Sequence, residues 1–173
     1  MKKMMITWAK CDERATVPTK RDEDACVDIY AIYEEDQIIL NPLDIHVFST
    51  GLKFACSDDW YPQIHERGST GIIGLSYRAG VFDSGFRNEW KIILNNTSNK
   101  TIIIYNDNKF EHIDFLENLE VEKSDYVFYP MSKAIAQASF NYVPKYEYAV
   151  IEEEDLAYFS SERGNGMLGS TNK

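Results

Sequence analysis

The sequence predicts an all-β fold, a sandwich or jelly roll, for a chain of 173 residues. Short segments rich in Ile, Val, Tyr and Phe alternate with clusters of turn-forming residues, which is typical of many short strands and not of βαβ units. The length fits one domain with a sizeable core. We therefore expect residues 1–173 to form a single domain.

The predicted strands follow one another at short intervals along the chain. They are residues 4–9, 27–30, 37–40, 45–54, 60–64, 90–94, 101–105, 135–140 and 148–151. Clusters of Asn, Pro, Ser, Asp and Lys separate them, and such clusters favour turns.

Two stretches depart from the strand pattern. Residues 106–124 are acidic, with apolar residues three apart as on one helix face, and predict an insertion between strands that is either a helical turn or two or a plain surface loop. Residues 160–173 are rich in Gly, Ser and Asn and predict a flexible C-terminal arm.

Composition excludes several classes of function. The formal net charge of -10 argues against a general nucleic-acid binder, which needs a basic face. No apolar run approaches the ~20 residues of a membrane span, and the N-terminal apolar run is too short for a secretory signal. The three cysteines lack C-x-x-C spacing and the histidines are scattered, so neither a disulfide framework nor a zinc site is indicated. We expect a cytoplasmic protein.

Residues 78–88 read as the tip of a β-hairpin, because apolar runs at 71–75 and 90–94 flank them and a small Ser-Gly pair inside them permits a tight turn. A hairpin would hold Asp83 in a fixed direction beside the ring of Phe86. A fixed carboxylate next to an apolar ring suits a general base beside a bound sugar or nucleobase. The alternative is an aspartate that only hydrogen-bonds its own turn.

Polar residues interrupt two other predicted strands. Asp28 lies within an apolar strand, where a charge must be paired, hydrogen-bonded, close to a cation or turned to water. Gln137 lies in a small, apolar strand, and a buried amide needs hydrogen-bond partners from the protein or from a ligand.

Two glycine-containing segments carry an arginine and hydroxyl groups. Arg67, Gly68 and Ser69 begin a loop that suits either a phosphate cradle or a plain polar turn, although it is not a Walker A loop. Arg163 lies in the arm, whose hydroxyls and glycine hinge suit closure over a bound phosphate chain.

In order and spacing, five segments together resemble the motifs of the trimeric dUTPase family. They read D-A-C-V-D-I-Y-A, R-G-S-T-G, A-G-V-F-D-S-G-F, A-I-A-Q and R-G-N-G-M-L-G-S-T, and they span residues 24–171. The resemblance implies a jelly-roll-like subunit in a homotrimer, with active sites at subunit junctions and a C-terminal arm that closes each site. It also implies hydrolysis of dUTP to dUMP and pyrophosphate with Mg²⁺.

The resemblance assigns roles to individual residues. Asp83 matches the catalytic carboxylate that activates water for attack on the α-phosphorus, and Asp28 matches a carboxylate that reaches the metal through water. The implied substrate-binding residues are Arg67, Gly68, Ser69 and Gln137 at the phosphates, Gly80 and Val81 at the uracil, Phe86 beneath the deoxyribose, and Arg163, Gly169, Ser170 and Thr171 in the arm.

The chain departs from the family pattern at several positions. Gly68 stands where Ser is frequent, and Ala134 replaces a usual Arg, with Lys133 adjacent. Met167-Leu168 replaces a Gly-Phe pair, so the aromatic that stacks on uracil is absent. The 106–124 segment resembles insertions of phage-type dUTPases and raises the hypotheses of a phage or prophage origin and of a protein partner.

Two alternative functions stay open at this point. dCTP deaminase shares the fold, but its general base is a Glu about ten residues after the hairpin Asp, and Ile93 stands there in this chain. The other alternative is a regulatory nucleotide-binding protein without catalysis.

Overall fold

The structure is a computed structural model that describes residues 5–109 and 125–164. Within these residues the chain forms eleven strands, one short α-helix and one 3-10 helix. In chain order they are β1 (Thr7–Lys10), β2 (Val27–Ile29), β3 (Gln37–Leu40), β4 (Ile45–Ser49), β5 (Leu52–Ala55), β6 (Trp60–His65), α1 (Gly68–Gly71), β7 (Leu75–Arg78), β8 (Lys91–Asn96), β9 (Thr101–Tyr105), β10 (Tyr126–Pro130), β11 (Ala136–Tyr142) and the 3-10 helix Glu153–Tyr158.

The strands form small sheets, ordered β1-β5, β10-β9-β3, β2-β11-β6 and β4-β8-β7. The described strand pairs are antiparallel, apart from β9 and β10, which run parallel in the register Tyr126 to Thr101. The all-β prediction is confirmed. No helix in the described ranges is long and apolar enough to cross a membrane.

Several strands, such as β2, β5 and β6, contribute alternate residues to the core, whereas β9 buries Ile102, Ile103 and Ile104 in succession. Fully buried apolar side chains include Ile29, Phe48, Leu52, Leu75, Trp90, Leu94, Ile102, Ile104 and Ile135. Trp90 lies in an aromatic cluster, with its ring centroid 5.0 Å from that of Trp8 and 4.9 Å from that of Phe54. Burial of these side chains supplies the main driving force for folding.

Strands 37–40 and 101–105 have the predicted bounds, but the predicted strand 45–54 is wrong, because it is two strands, β4 and β5. Gly51 between them has a φ of 67°, a left-handed conformation that ends a strand. The Thr50 hydroxyl fixes this turn by donating to the Trp90 carbonyl at 2.8 Å.

Two further strand predictions need correction, and one strand was missed. Residues 148–151 are exposed and form no strand, and β10 was not predicted although it contains Tyr, Val and Phe. The first arm of the hairpin, predicted at 71–75, is the strand Leu75–Arg78, because α1 and a turn at Gly74 (φ 85°) occupy the preceding residues.

Contacts divide the chain into two compact units, residues 1–143 and 144–173. The first holds all the strands described above, and the described part of the second holds the 3-10 helix. Most of the predicted 106–124 insertion and most of the 160–173 arm lie outside the described residues. The single-domain organisation, the insertion and the arm therefore stay predictions.

Candidate functional site

An ion pair joins two of the predicted site residues. The Arg67 guanidinium donates two hydrogen bonds to Asp28, from Nε to Oδ1 at 2.9 Å and from Nη2 to Oδ2 at 3.0 Å. Its Nη1 donates, more weakly, to Ser69 Oγ and to the Ala134 carbonyl, both at 3.4 Å. Asp28 is therefore paired with a cation, as the charge of a strand carboxylate requires.

The loop that carries Arg67 is held by its own backbone. The amides of Thr70 and Gly71 donate to the Arg67 carbonyl at 3.1 and 2.8 Å, and the buried Thr70 hydroxyl accepts from the Arg67 amide at 2.9 Å. A Cβ added at Gly68 would meet no atom within 4 Å. Glycine at this position therefore leaves open space beside Arg67 and is not required by packing.

Gln137 links the loop to the sheet. It lies in β11 between Asp28 of β2 and His65 of β6. Its Nε2 donates to the Glu66 carbonyl at 2.7 Å. Of the two kinds of partner that the sequence allowed for this amide, protein or ligand, the structure shows a protein partner. This bond fixes the start of the Arg67 loop.

The predicted residues Asp28, Arg67, Gly68, Ser69 and Gln137 line one cavity of about 640 Å³. They come from β2, from the loop after β6 and from β11, and the order β2-β11-β6 brings these elements side by side. The structure therefore assembles three of the sequence segments into one polar cavity.

Four titratable residues to which the motifs assigned no role also line this cavity. Arg21 pairs with Asp24 at 2.8 Å, and its hydrogen bonds lower the pKa of the Asp24 carboxyl. Burial, and secondly the Asp28 charge, raise the pKa of the Cys26 thiol, so this thiol is neutral near pH 7. The fourth is Lys133, whose only signal in the sequence is its position directly before A-I-A-Q.

Tyr129 supports this cavity from the core and was missed because β10 was missed. Its hydroxyl donates to the Ala134 carbonyl at 2.6 Å and lies 3.3 Å from Ser69 Oγ. The side chain is buried, so these contacts connect the cavity to the packed interior.

The predicted hairpin is formed by the antiparallel strands β7 and β8, and its connection adds to the free edge of β6. The Ile64 amide donates to the Gly80 carbonyl at 2.7 Å, and the Phe82 amide donates to the Pro62 carbonyl at 3.0 Å. Two backbone bonds to a second sheet hold the connection more firmly than a free loop.

Aromatic packing fixes the hairpin on its inner side. The Phe82 ring stacks on the buried Trp90 ring with centroids 4.6 Å apart and planes 16° apart. The Phe86 ring lies edge-on to Phe82 at 5.6 Å. The backbone next to Asp83 is therefore anchored to the core cluster.

The predicted polar end of the hairpin faces solvent. The Phe86 amide donates to the Asp83 carbonyl at 2.9 Å and closes a turn, while the side chains of Asp83 and Val81 are exposed and that of Phe86 is half-buried. The hydrogen bond that closes the turn uses the Asp83 backbone carbonyl and not the side chain. The exposed Asp83 carboxylate is therefore accessible to a ligand or to another protein chain.

Asp83 does not line the Arg67 cavity. Gln137 pairs with one edge of β6 opposite His65, whereas the hairpin pairs with the other edge at Pro62. Gln137 is therefore separated from the hairpin backbone at Phe82 by three residues along β6 and by two strand spacings across the sheet. Together these give a distance on the order of 14 Å. Within one chain, the predicted catalytic carboxylate and the predicted phosphate loop lie apart.

The strand after the hairpin carries no carboxylate. Strand β8 reads K-I-I-L-N-N, and Ile93 pairs with Val47 and Arg78. The nearest preceding acid, Glu89, accepts a hydrogen bond from the Gly51 amide at 2.9 Å and lies 3.5 Å from Lys91. A deaminase-type base is therefore missing from this strand.

The arm residues are described only in part. Arg163 is exposed in the second unit. Gly169, Ser170 and Thr171 lie outside the described residues, so their predicted contacts with phosphate stay predictions.

Comparison with known proteins identifies the family. A family model described as dCTP deaminase-like matches residues 4–118, more than half of the chain. The chain is 25% identical to the deoxyuridine 5′-triphosphate nucleotidohydrolase of Nautilia profundicola over 174 residues, which cover 98% of this chain and 100% of that protein.

Solved structures give the same fold. The Staphylococcus bacteriophage 80alpha dUTPase with dUPNHPP superposes with a TM-score of 0.70 at 18% identity, covering 98% of this chain and 99% of that one. A variant of the dUTPase from phage phi11 of S. aureus, which coordinates a structural Mg(II) ion, superposes with a TM-score of 0.63 at 15% identity, covering 87% and 99%. The chain therefore belongs to the dCTP deaminase-like family and has the jelly-roll-like fold of the dUTPases.

Proposed function

We propose that the chain is a dUTP diphosphatase, which hydrolyses dUTP to dUMP and pyrophosphate. The observation that supports this most is the cavity lined by Arg67, Ser69 and Gln137 beside Asp28. A guanidinium, a hydroxyl and an amide can donate hydrogen bonds to the oxygens of a phosphate chain. The full-length similarity to a deoxyuridine triphosphate nucleotidohydrolase supports the same substrate. The carboxylate-free strand β8 favours hydrolysis over deamination.

At the phosphate end, each residue has a separate task. The two hydrogen bonds that Arg67 donates to Asp28 hold the guanidinium in one orientation, so little side-chain entropy is lost when it binds a phosphate. Ser69 offers a hydroxyl, and Gln137 positions the loop through the Glu66 carbonyl. The family frequently has a serine hydroxyl where Gly68 stands, and here Gly68 leaves open space instead.

At the reacting phosphorus, Asp83 acts as the general base. It takes a proton from a water, the water oxygen bonds to the α-phosphorus, and the bond to the bridging oxygen of the β-phosphate breaks so that pyrophosphate leaves. Because the hairpin backbone beside Asp83 lies on the order of 14 Å from Gln137 of the same chain, and Asp83 does not line the Arg67 cavity, we infer that a neighbouring copy supplies it. A homotrimer with sites at the subunit junctions satisfies this requirement.

The rest of the hairpin binds the nucleoside. The backbone at Gly80 and Val81 reads the uracil edge, and the half-buried Phe86 ring packs beneath the deoxyribose, where it disfavours a 2′-hydroxyl. The bonds to Ile64 and Pro62 make this backbone rigid before substrate binds.

Mg²⁺ fits the donor set of this cavity. The described residues contain no cluster of three His, Cys, Asp or Glu side chains, so the ion is expected to bind chiefly to the phosphate oxygens and to keep water ligands. The Asp28 side chain is 37% exposed, and its oxygens retain lone pairs beyond those bonded to Arg67, so it can accept hydrogen bonds from metal-bound water. When bound, the ion supplies neutralisation of phosphate charge.

Three parts of the proposal rest on the sequence alone. Arg163, Gly169, Ser170 and Thr171 are proposed to close the arm over the γ-phosphate. The 106–124 segment is proposed to bind a protein partner. A cytoplasmic location is the third.

The reaction is tested by incubating the protein with Mg²⁺ and each of dUTP, dCTP, dTTP and UTP and by identifying every product. We expect dUMP and pyrophosphate from dUTP. The Asp83→Asn protein should lose about 10²–10⁴-fold in kcat while it still binds nucleotide. Glu13→Gln, which changes an exposed carboxylate elsewhere, is the control. Ammonia from dCTP, or full activity of Asp83→Asn, would contradict the assignment.

The shared site is tested by subunit mixing. Asp83→Asn and Arg67→Gln chains, each inactive alone, are co-expressed with different tags and purified as hybrids. If the two residues of a site come from different chains, each purified hybrid trimer has one intact junction of three and should show about a third of wild-type activity. If both come from one chain, no hybrid recovers activity, and the junction model is wrong.

A further inference from the structure

Lys133 lies in a turn of fixed backbone beside the cavity. Its amide donates to the Pro130 carbonyl at 3.1 Å, and the next three residues, 134–136, are fully buried. The side chain itself is exposed and lines the cavity together with Arg67 and Ser69. The core thus sets where the side chain starts and leaves its ammonium group free to move.

The buried Tyr129 connects Lys133 to the phosphate loop. The Lys133 Nζ lies 6.0 Å from the centroid of the Tyr129 ring, at the outer limit of a cation–π contact, while the hydroxyl of the same ring lies 3.3 Å from Ser69 Oγ. A cation–π contact at such a distance is weak, so it guides the ammonium group without neutralising it.

The charges around the cavity are not all matched. Arg67 is paired with Asp28 and Arg21 with Asp24, whereas Lys133 forms no ion pair with a carboxylate among residues 5–109 and 125–164. Three cations against two carboxylates leave one positive charge at this cavity, in a chain whose net charge is -10. The unmatched charge is the ammonium group of Lys133.

We propose that Lys133 is a phosphate-binding residue, which contacts the polyphosphate chain in this cavity. This inference rests on the proposed function for its substrate class. Lysine suits the role because its ammonium is a compact charge on a flexible stem, able to follow a phosphate oxygen that the fixed Arg67 fork does not reach. Loss of the charge should weaken binding to polyphosphate and leave the fold intact.

The test is calorimetric titration of Lys133→Gln, Lys133→Arg and wild-type protein with inorganic tripolyphosphate, which needs no hydrolysis. We expect Lys133→Gln to bind about tenfold more weakly or worse, and Lys133→Arg to stay within about threefold of wild type. Arg21→Gln is the matched comparison, because it removes a charge from the same cavity that Asp24 already balances, and it should also stay within about threefold. Equal thermal unfolding of the variants checks the fold.

The outcomes separate the inference from the proposed function. Unchanged affinity of Lys133→Gln, equal losses in Lys133→Gln and Arg21→Gln, or no binding of tripolyphosphate by wild type would each overturn the role of Lys133. If Lys133→Gln alone loses affinity but wild type hydrolyses no nucleotide, the inference stands and the proposed hydrolase activity fails. In an active enzyme, Lys133→Gln should raise KM for dUTP more than it lowers kcat.

Discussion

The Gly80→Ala substitution tests whether the hairpin depends on a close backbone approach. An added Cβ would lie 2.6 and 2.7 Å from two carbons of the Tyr77 ring and 3.1 Å from the Ile64 carbonyl oxygen. Carbon atoms normally pack about 3.5–4.0 Å apart, so the ring must retreat by about 1 Å. The Ile64 oxygen cannot follow freely, because the Ile64 backbone pairs with Ala138 in the sheet.

Overpacking of this kind costs about 1–3 kcal/mol in the free energy of unfolding. For a chain of this size the melting temperature should fall by roughly 2–4 °C for each kcal/mol. Any part of the displacement that the Gly80 backbone takes up moves Asp83, three residues further on, and a shift of about 1 Å in a reacting group can cost about 10²-fold in rate. We therefore expect a lower melting temperature together with a large loss of kcat for dUTP.

Gly85→Ala is the matched control in the same hairpin. A Cβ there would meet no atom within 4 Å, and Gly85 is not among the residues with positive φ. Its unfolding free energy should be unchanged or rise by up to about 1 kcal/mol, through a less flexible unfolded chain. Scanning calorimetry and steady-state hydrolysis of dUTP measure both variants. Equal melting of Gly80→Ala and wild type, or equal losses in the two variants, would refute the packing argument.

Three further predictions concern stability. Leu43→Gly should raise the unfolding free energy in urea by up to about 1 kcal/mol, because Leu43 is 78% exposed and has a φ of 72°; a decrease would contradict this. Hydrogen bonds from Arg14 lower the pKa of Asp12 to about 2. The ionised carboxylate therefore stabilises the folded protein above its usual pKa near 3.8, and this stabilisation is lost as pH falls toward 2. Between pH 5 and pH 2, the melting temperature should fall less steeply for Asp12→Asn than for wild type. Equal pH dependence of the two melting temperatures would exclude the effect. Tyr129→Phe should lose about 1–2 kcal/mol by calorimetry, since the Ala134 carbonyl loses its 2.6 Å donor; an unchanged melting temperature would show that this bond is not needed.

Local composition was enough to predict the strand class. Strands β3 and β9 have their predicted bounds, because runs such as Q-I-I-L and T-I-I-I-Y are β-branched and flanked by turns. The split between β4 and β5 was missed, since the sequence does not show that Gly51 has a left-handed φ or that a Cβ there would lie 2.9 Å from the Cβ atoms of Ala15 and Asp12, which are distant in sequence. The pattern of one strand does not contain such contacts.

The candidate site was predictable by residue type and less so by geometry. The sequence left open whether the Asp28 carboxylate is paired, hydrogen-bonded, close to a cation or turned to water. Its pairing with Arg67, thirty-nine positions away, follows from the sheet order. The Ser84-Gly85 pair was expected to permit a tight turn. The turn after Asp83 forms without a positive φ at Gly85, and the hairpin residue with a positive φ, of 51°, is Ala79. The directions of Lys133 and Tyr129 depend on a turn and a strand that the pattern did not reveal.

The parallel pairing of β9 and β10 has a consequence for how this chain can diverge. Parallel neighbours require the chain to travel back along the sheet before the second strand begins, so the connection starts at Tyr105 at one end and re-enters at Tyr126 at the other. The pairing constrains only these two anchor points, and lengthening such a connection adds little closure entropy, about 0.6 kcal/mol for each doubling. Homologous chains can therefore exchange whole segments between these anchors while the sheet is conserved, and a reporter domain inserted there should leave folding intact.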